Sequence, residues 1–110
     1  MKRQKDKKHL QWVTQQKCLI HTAGFYSCNG VIQAHHLLKP SSKHRGFGLR
    51  AHDSEVIPLC QFHHQQLHTK FGNEFKFFEH YGLSKFIGQE TAKKLYDKNS
   101  IVIENDDLPF

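Results

Sequence analysis

His64 and His68 stand four residues apart in Gln61–Lys70, a stretch that reads as a helix. Both imidazoles then project from one face and can chelate a single metal ion. About thirty residues upstream lies a second pair, His35-His36, at the end of a β-branched run. Successive strand side chains point to opposite faces, so these two histidines must do different jobs. A lone histidine on an apolar face is usually structural. A chelating pair joined by a second pair is hard to explain as core filling.

A separate pattern runs through the same stretch. Cys60-Gln61-Phe62-His63 is a C-x-x-H step, a common half of a structural zinc site. The other half comes from Cys18 with either Cys28 or His21. Cys18 with Cys28 puts all three cysteines of the chain into one site. Cys18-Leu19-Ile20-His21 is itself a C-x-x-H step and would leave Cys28 outside. The set Cys18, Cys28, Cys60 and His63 is the favoured one. The bland alternative is that the cysteines are small buried apolar residues.

The elements that must position these groups are short. Cys18–Asn29 contains Gly24, Ser27 and Asn29 and predicts a loop carrying Cys18 and Cys28. Val31–Leu38 suits a strand, and Val56–Leu59 a second one, in which Pro58 disfavours a central sheet position. Between them, residues 43–52 form a basic, glycine-punctuated loop with Lys43, Arg45 and Arg50. After the Gln61–Lys70 helix, Gly72 closes one element and Asn73 opens another through His80, with Phe75, Phe77, Phe78 and Tyr81 as core candidates. Ser84 caps a last helix to about Lys98 with a stripe of Ile87, Ala92 and Leu95. Residues 1–8 predict a flexible basic arm, 9–98 one domain and 99–110 an acidic tail.

Composition narrows the class. At 110 residues and 37% hydrophobic, the chain is one small domain of the kind that often needs metal or disulfides to hold a fold. The cysteine count is odd, the N-terminus is charged with no apolar run behind it, and no stretch approaches a membrane span. A cytoplasmic, reducing setting is expected, with zinc rather than disulfides and no membrane partner. The formal charge of +6 favours an anionic partner, most simply nucleic acid.

In order, the chain reads Cys18…Cys28…Ala34-His35-His36, then Gly46-x-Gly48 and Asp53, then Pro58-Leu59-Cys60-x-x-His63-His64-x-x-x-His68. This resembles the HNH endonucleases, in particular the short phage- and prophage-type branch that includes RecA-dependent recombination-enhancement nucleases. The likeness runs from about His9 to Tyr96, including His9-Leu10-Gln11-Trp12-Val13 and Gly72-Asn73-Glu74-Phe75. It implies an α+β fold with a ββα-metal (His-Me finger) core, a zinc knuckle and C-terminal helices. It further implies His36 as general base, His35, His64 and His68 around a catalytic divalent cation, and structural zinc on Cys18, Cys28, Cys60 and His63. The Asn common at the middle position of the motif is replaced here. Asp53 matches the residue after the Gly-x-Gly loop, and Glu55 is the alternative; either could fix the tautomer of His36.

The expected activity is metal-dependent hydrolysis of DNA phosphodiester bonds with little sequence specificity. An ordinary imidazole titrates near pH ~6.5 and can accept a proton from the attacking water. The cation, Mg²⁺, Mn²⁺ or another first-row metal, would relieve charge on the phosphate. Lys43, Arg45 and Arg50 would meet backbone phosphates, and a recombination protein is a possible partner. The competing expectation is a catalytically silent zinc-binding module that contacts DNA or protein through the knuckle alone.

Overall fold

The computed structural model describes residues 5–39 and 51–106, with side chains as far as residue 99. The basic loop with Lys43, Arg45 and Arg50 lies outside the described residues. The chain folds as a small α+β unit: α1 (Lys7–Val13), α2 (Leu19–Thr22), β1 (Ile32–His36), β2 (Val56–Cys60), α3 (Gln61–Gln66) with a π-helical turn (Leu67–Phe71), α4 (Glu74–His80) and α5 (Ile87–Asp106).

The sheet has two antiparallel strands, with Ile32 opposite Cys60 and His36 opposite Val56. Every residue of β2 is buried, because this strand packs against α1, α2, α3 and α5 as well as β1. Pro58 faces Ala34 in the ladder. A two-stranded sheet has no interior position, so the missing N–H of Pro58 is tolerated, as the sequence predicted. The core gathers Leu19, Ile20, Leu37, Ile57, Leu59, Leu67, Phe77, Phe78 and Ala92 around this strand.

Four expectations are corrected. The segment after Cys18 is not all loop: Leu19 and Ile20 turn inward on a single helical turn and join the core. The N-terminal arm gives way to helix by Lys7, where the Asp6 side chain accepts the His9 N–H at 3.1 Å and caps α1. The last helix runs to Asp106 instead of ending near Lys98, so much of the expected acidic tail is helical. Phe75 is only half-buried and outside the core; the Lys39 ammonium lies 5.2 Å from its ring.

The predicted Gln61–Lys70 helix changes pitch after Gln66. Its π-helical turn closes where the Gly72 N–H reaches the Leu67 carbonyl at 2.6 Å, with Gly72 at φ +64°. Asn73 then caps α4 by accepting the N–H groups of Phe75 and Lys76. At the other end of α3, Gly30 sits at φ +85°, and a Cβ there would lie 2.5 Å from the Gln61 side chain. Gly30→Ala should therefore destabilise the fold by about 1–2 kcal/mol through left-handed backbone strain alone. Urea unfolding would measure this, and an unchanged midpoint would refute a fixed turn before β1, against the start of α3.

Candidate metal centres and the His36 site

The first constellation joins three parts of the chain. Cys18 ends the segment before α2, Cys28 sits in the loop before β1, and Cys60 and His63 straddle the β2–α3 junction. Their ligand atoms all lie within 4.8 Å of one another. His63 Nδ1 stands 3.6 Å from the sulfurs of Cys18 and Cys28 and 3.0 Å from that of Cys60. Tetrahedral zinc with ordinary Zn–S and Zn–N bonds would set such S···N edges at about 3.6 Å. The distal His63 nitrogen pairs with the Ser27 hydroxyl at 3.1 Å, leaving Nδ1 directed at the sulfurs. All three cysteines are free thiols.

Electrostatics at the four groups are uneven. Burial pushes the Cys28 thiol up to about 12, helped by the neighbouring Cys60 and Cys18. Burial also acts to raise Cys60, but bonds from the His63 and Asn29 backbone and from the other two thiols carry it down. Burial lowers His63, favouring the neutral imidazole that a metal requires. His21 is not in this set: its ring packs edge-on against Tyr26 with centroids 4.9 Å apart. Of the two open alternatives, the geometry takes Cys28.

The second constellation is His35 from β1 with His64 and His68 from α3 and its π-helical turn, again with ligand atoms within 4.8 Å of one another. Neighbouring groups decide which nitrogens face inward. His35 Nε2 lies 2.6 Å from the Glu74 carboxylate, which can only accept, so its proton sits on Nε2 and Nδ1 carries the lone pair. His64 Nδ1 lies 2.6 Å from the Gln33 Oε1 and donates to it, leaving Nε2 bare. The two bare nitrogens are 3.1 Å apart, and His68 Nε2 is 3.1 Å from that of His64. Lone pairs as close as those of His35 and His64 repel unless a cation lies between them. A tetrahedral ion with Zn–N bonds of ordinary length would place them about 3.3 Å apart. The residues therefore fit a metal ion.

Burial first, then the His35 and His68 rings beside it, holds His64 down to about 4. Burial likewise lowers His68, and His35 adds to this while Glu74 opposes it. Both are neutral ligands near neutral pH. The two sets differ in closure. Four mostly buried groups form the cysteine set, whereas the histidine set has three and its third member, His68, is exposed. A closed four-ligand set suits a structural ion, and three ligands at a surface suit one that also binds water or substrate.

Residues the sequence did not single out support the second set. Glu74 is 2% exposed and also accepts the backbone N–H groups of Leu38 and Lys39 at 2.7 and 2.9 Å. Gln33, two residues before His35 on β1, serves His64. A faint signal existed for Glu74: it directly follows the helix-capping Asn73, where an acidic residue suits the helix dipole.

His36, on the opposite face of β1 from His35, pairs with Asp53: Nε2 to Oδ1 is 2.8 Å, with 14% and 4% of the side chains exposed. Asp53, not Glu55, is the residue that orients His36. The second Asp53 oxygen accepts the Asp6 backbone N–H at 2.7 Å. With Nε2–H held by the carboxylate, Nδ1 of His36 carries the lone pair.

The fold and its sites thus define a small α+β protein with two candidate metal-binding clusters. The family model described as "Protein of unknown function (DUF968)" matches residues 1–97, and the chain belongs to that family. The uncharacterized protein YdfU of Escherichia coli (strain K12) is 38% identical over 64 residues. That alignment covers 56% of this chain but only 16% of the relative. No solved structure matches the chain. Among the described residues, no helix is long and apolar enough to cross a membrane.

Purified protein should carry about one tightly held zinc, which Cys28→Ser removes along with much of the fold and His21→Ala leaves in place. Metal analysis and circular dichroism would check both; zinc retained in Cys28→Ser would remove Cys28 from the site. Glu74→Gln should weaken binding of a second ion about 10- to 100-fold, measured by titration of the zinc-loaded protein with Ni²⁺ or Mn²⁺.

Proposed function

We propose that this chain is a metal-dependent DNA endonuclease of the HNH type, built on a ββα-metal core and cutting with little sequence specificity. The observation that carries the reading is the meeting of two unlike sites at one end of β1. On one face His35 joins His64 and His68 in a metal-ligating set, and on the other His36 is locked to Asp53. The strand pair and α3 hold both, in the order strand, strand, helix.

Hydrolysis of a phosphodiester needs a deprotonated water, relief of charge on the phosphate and a stabilised leaving oxygen. His36 would take the water's proton at Nδ1. Asp53 keeps the ring in that tautomer and stabilises the imidazolium as it forms. A divalent ion held by His35, His64 and His68 would supply Lewis-acid relief of charge on the phosphate and leaving oxygen. Three imidazoles favour a first-row transition metal over Mg²⁺. Glu74 and Gln33 keep the ligand nitrogens aimed inward throughout. The net charge of +6 supports DNA as the partner, with Lys43, Arg45 and Arg50 the proposed phosphate contacts.

Plasmid nicking by the purified protein tests this. Nicking should require added divalent metal, stop with EDTA, and fall at least about a hundredfold in His36→Ala. Equal activity in that variant would remove His36 as the base. A folded, zinc-loaded protein that never nicks would leave the binding-module reading in its place.

A further inference from the structure

The N-terminal helix reaches the His36 site by a chain of contacts that the nuclease reading does not require. His9 on α1 is fully buried, and Asn99 on α5, ninety residues away, is 3% exposed. The Asn99 amide nitrogen lies 2.9 Å from His9 Nδ1. His9 stacks beside Trp12 and meets Tyr96 edge-on, with centroids 6.0 and 4.9 Å apart. Its Nε2 is buried with no hydrogen-bond partner among the described residues. A site that only needed filling would be served at less cost by Leu or Phe, since a buried unsatisfied nitrogen is destabilising.

The N-terminal turn of α1, in which His9 itself sits, shows what the pair does. The backbone N–H of His9 donates to Asp6 Oδ1, and the backbone N–H of Asp6 donates to Asp53 Oδ2, whose other oxygen holds His36. Asn99, His9, Asp6, Asp53 and His36 thus form one connected line from α5 to the strand end. The directional His9–Asn99 contact sets the rotation of α1 about its own axis, which apolar packing alone would leave less defined. That rotation aims the Asp6 N–H at Asp53.

We propose that His9 and Asn99 are positioning residues for the His36–Asp53 pair, acting through the Asp6 backbone N–H, so that α1 is a working part of the site. The catalytic side of this rests on the nuclease reading; the positional side does not. Replacing both polar groups by apolar ones of similar size, His9→Phe with Asn99→Leu in the full chain, removes the contact while keeping the packing. The folded variant should keep its zinc and its KM for DNA while kcat for nicking falls about tenfold. The His36 ring ¹⁵N signals should change from a single Nε2–H tautomer to a mixture. Wild-type kcat together with an unaltered tautomer would overturn the proposal. Should the double variant not fold, amide exchange in the wild-type protein decides: the Asp6 N–H is expected to be protected at least about a hundredfold, and free exchange would overturn it. Should the wild type not nick at all, the nuclease reading falls, while the tautomer and amide measurements still decide the positioning role.

Discussion

Glu74 is a carboxylate almost wholly withdrawn from water, and such a group is tolerable only where donors replace its hydration. Three do so: the His35 ring and the N–H groups of Leu38 and Lys39. The arrangement binds the start of α4 to the end of β1 and to the chain just beyond it. It also assigns the His35 proton to Nε2, which turns Nδ1 toward His64 and His68. Without Glu74 the strand would still present an imidazole, but not a chosen nitrogen. The His35–His64–His68 set depends on that choice, and so does the path of the chain leaving β1.

The second constraint is economy on α3. His63 and His64 are neighbours, yet one belongs to the cysteine set and the other to the histidine set. A helix turns by about 100° per residue, so adjacent positions address different surroundings. An ion on the cysteine set would pin the loop before β1 to the β2–α3 junction, and so hold α3 at a fixed angle to β1. The histidine set uses that angle. An ion on the cysteines would act on the second site without touching it, as a brace for the helix that supplies two of its three ligands. The π-helical turn that begins at Leu67 places His68 on altered pitch, and such turns recur at functional sites.

A protein this small has little core to spare, and its hydrophobic fraction is low. Much of the order around the two sites is therefore polar. Glu74, Gln33, Asp53, Asp6, His9 and Asn99 each hold another group in a defined direction. In the proposed nuclease the same bonds serve stability and chemistry together, since the groups that aim the ligands also join the elements. In that reading the opposed faces of β1 keep His36, the proposed base, apart from His35, a proposed metal ligand, while leaving both at one strand end.

Spacing along the chain was enough to pick out most of the residues that the fold gathers into two clusters able to hold a metal ion. Cys60 with His63 and His64 with His68 are local patterns whose geometry follows from a helix, and His35-His36 follows from a strand; these are readable because their period is that of the element. The strands, α3 and α4 were legible for the same reason, as were Gly72 and Asn73 between them. The sequence could not choose between Cys28 and His21 or between Asp53 and Glu55, because loops carry no period and either member lay within reach. Nor did it show α1, α2 or the length of α5, where burial against β2 and capping outweigh composition. Glu74 and Asn99 were invisible as partners because they meet His35 and His9 across 39 and 90 residues of chain. The sequence by itself determined most of the residues that could bind metal. Only the tertiary structure decided which nitrogen the His35, His36 and His64 rings present, since that is set by hydrogen bonds between elements and no local pattern encodes them.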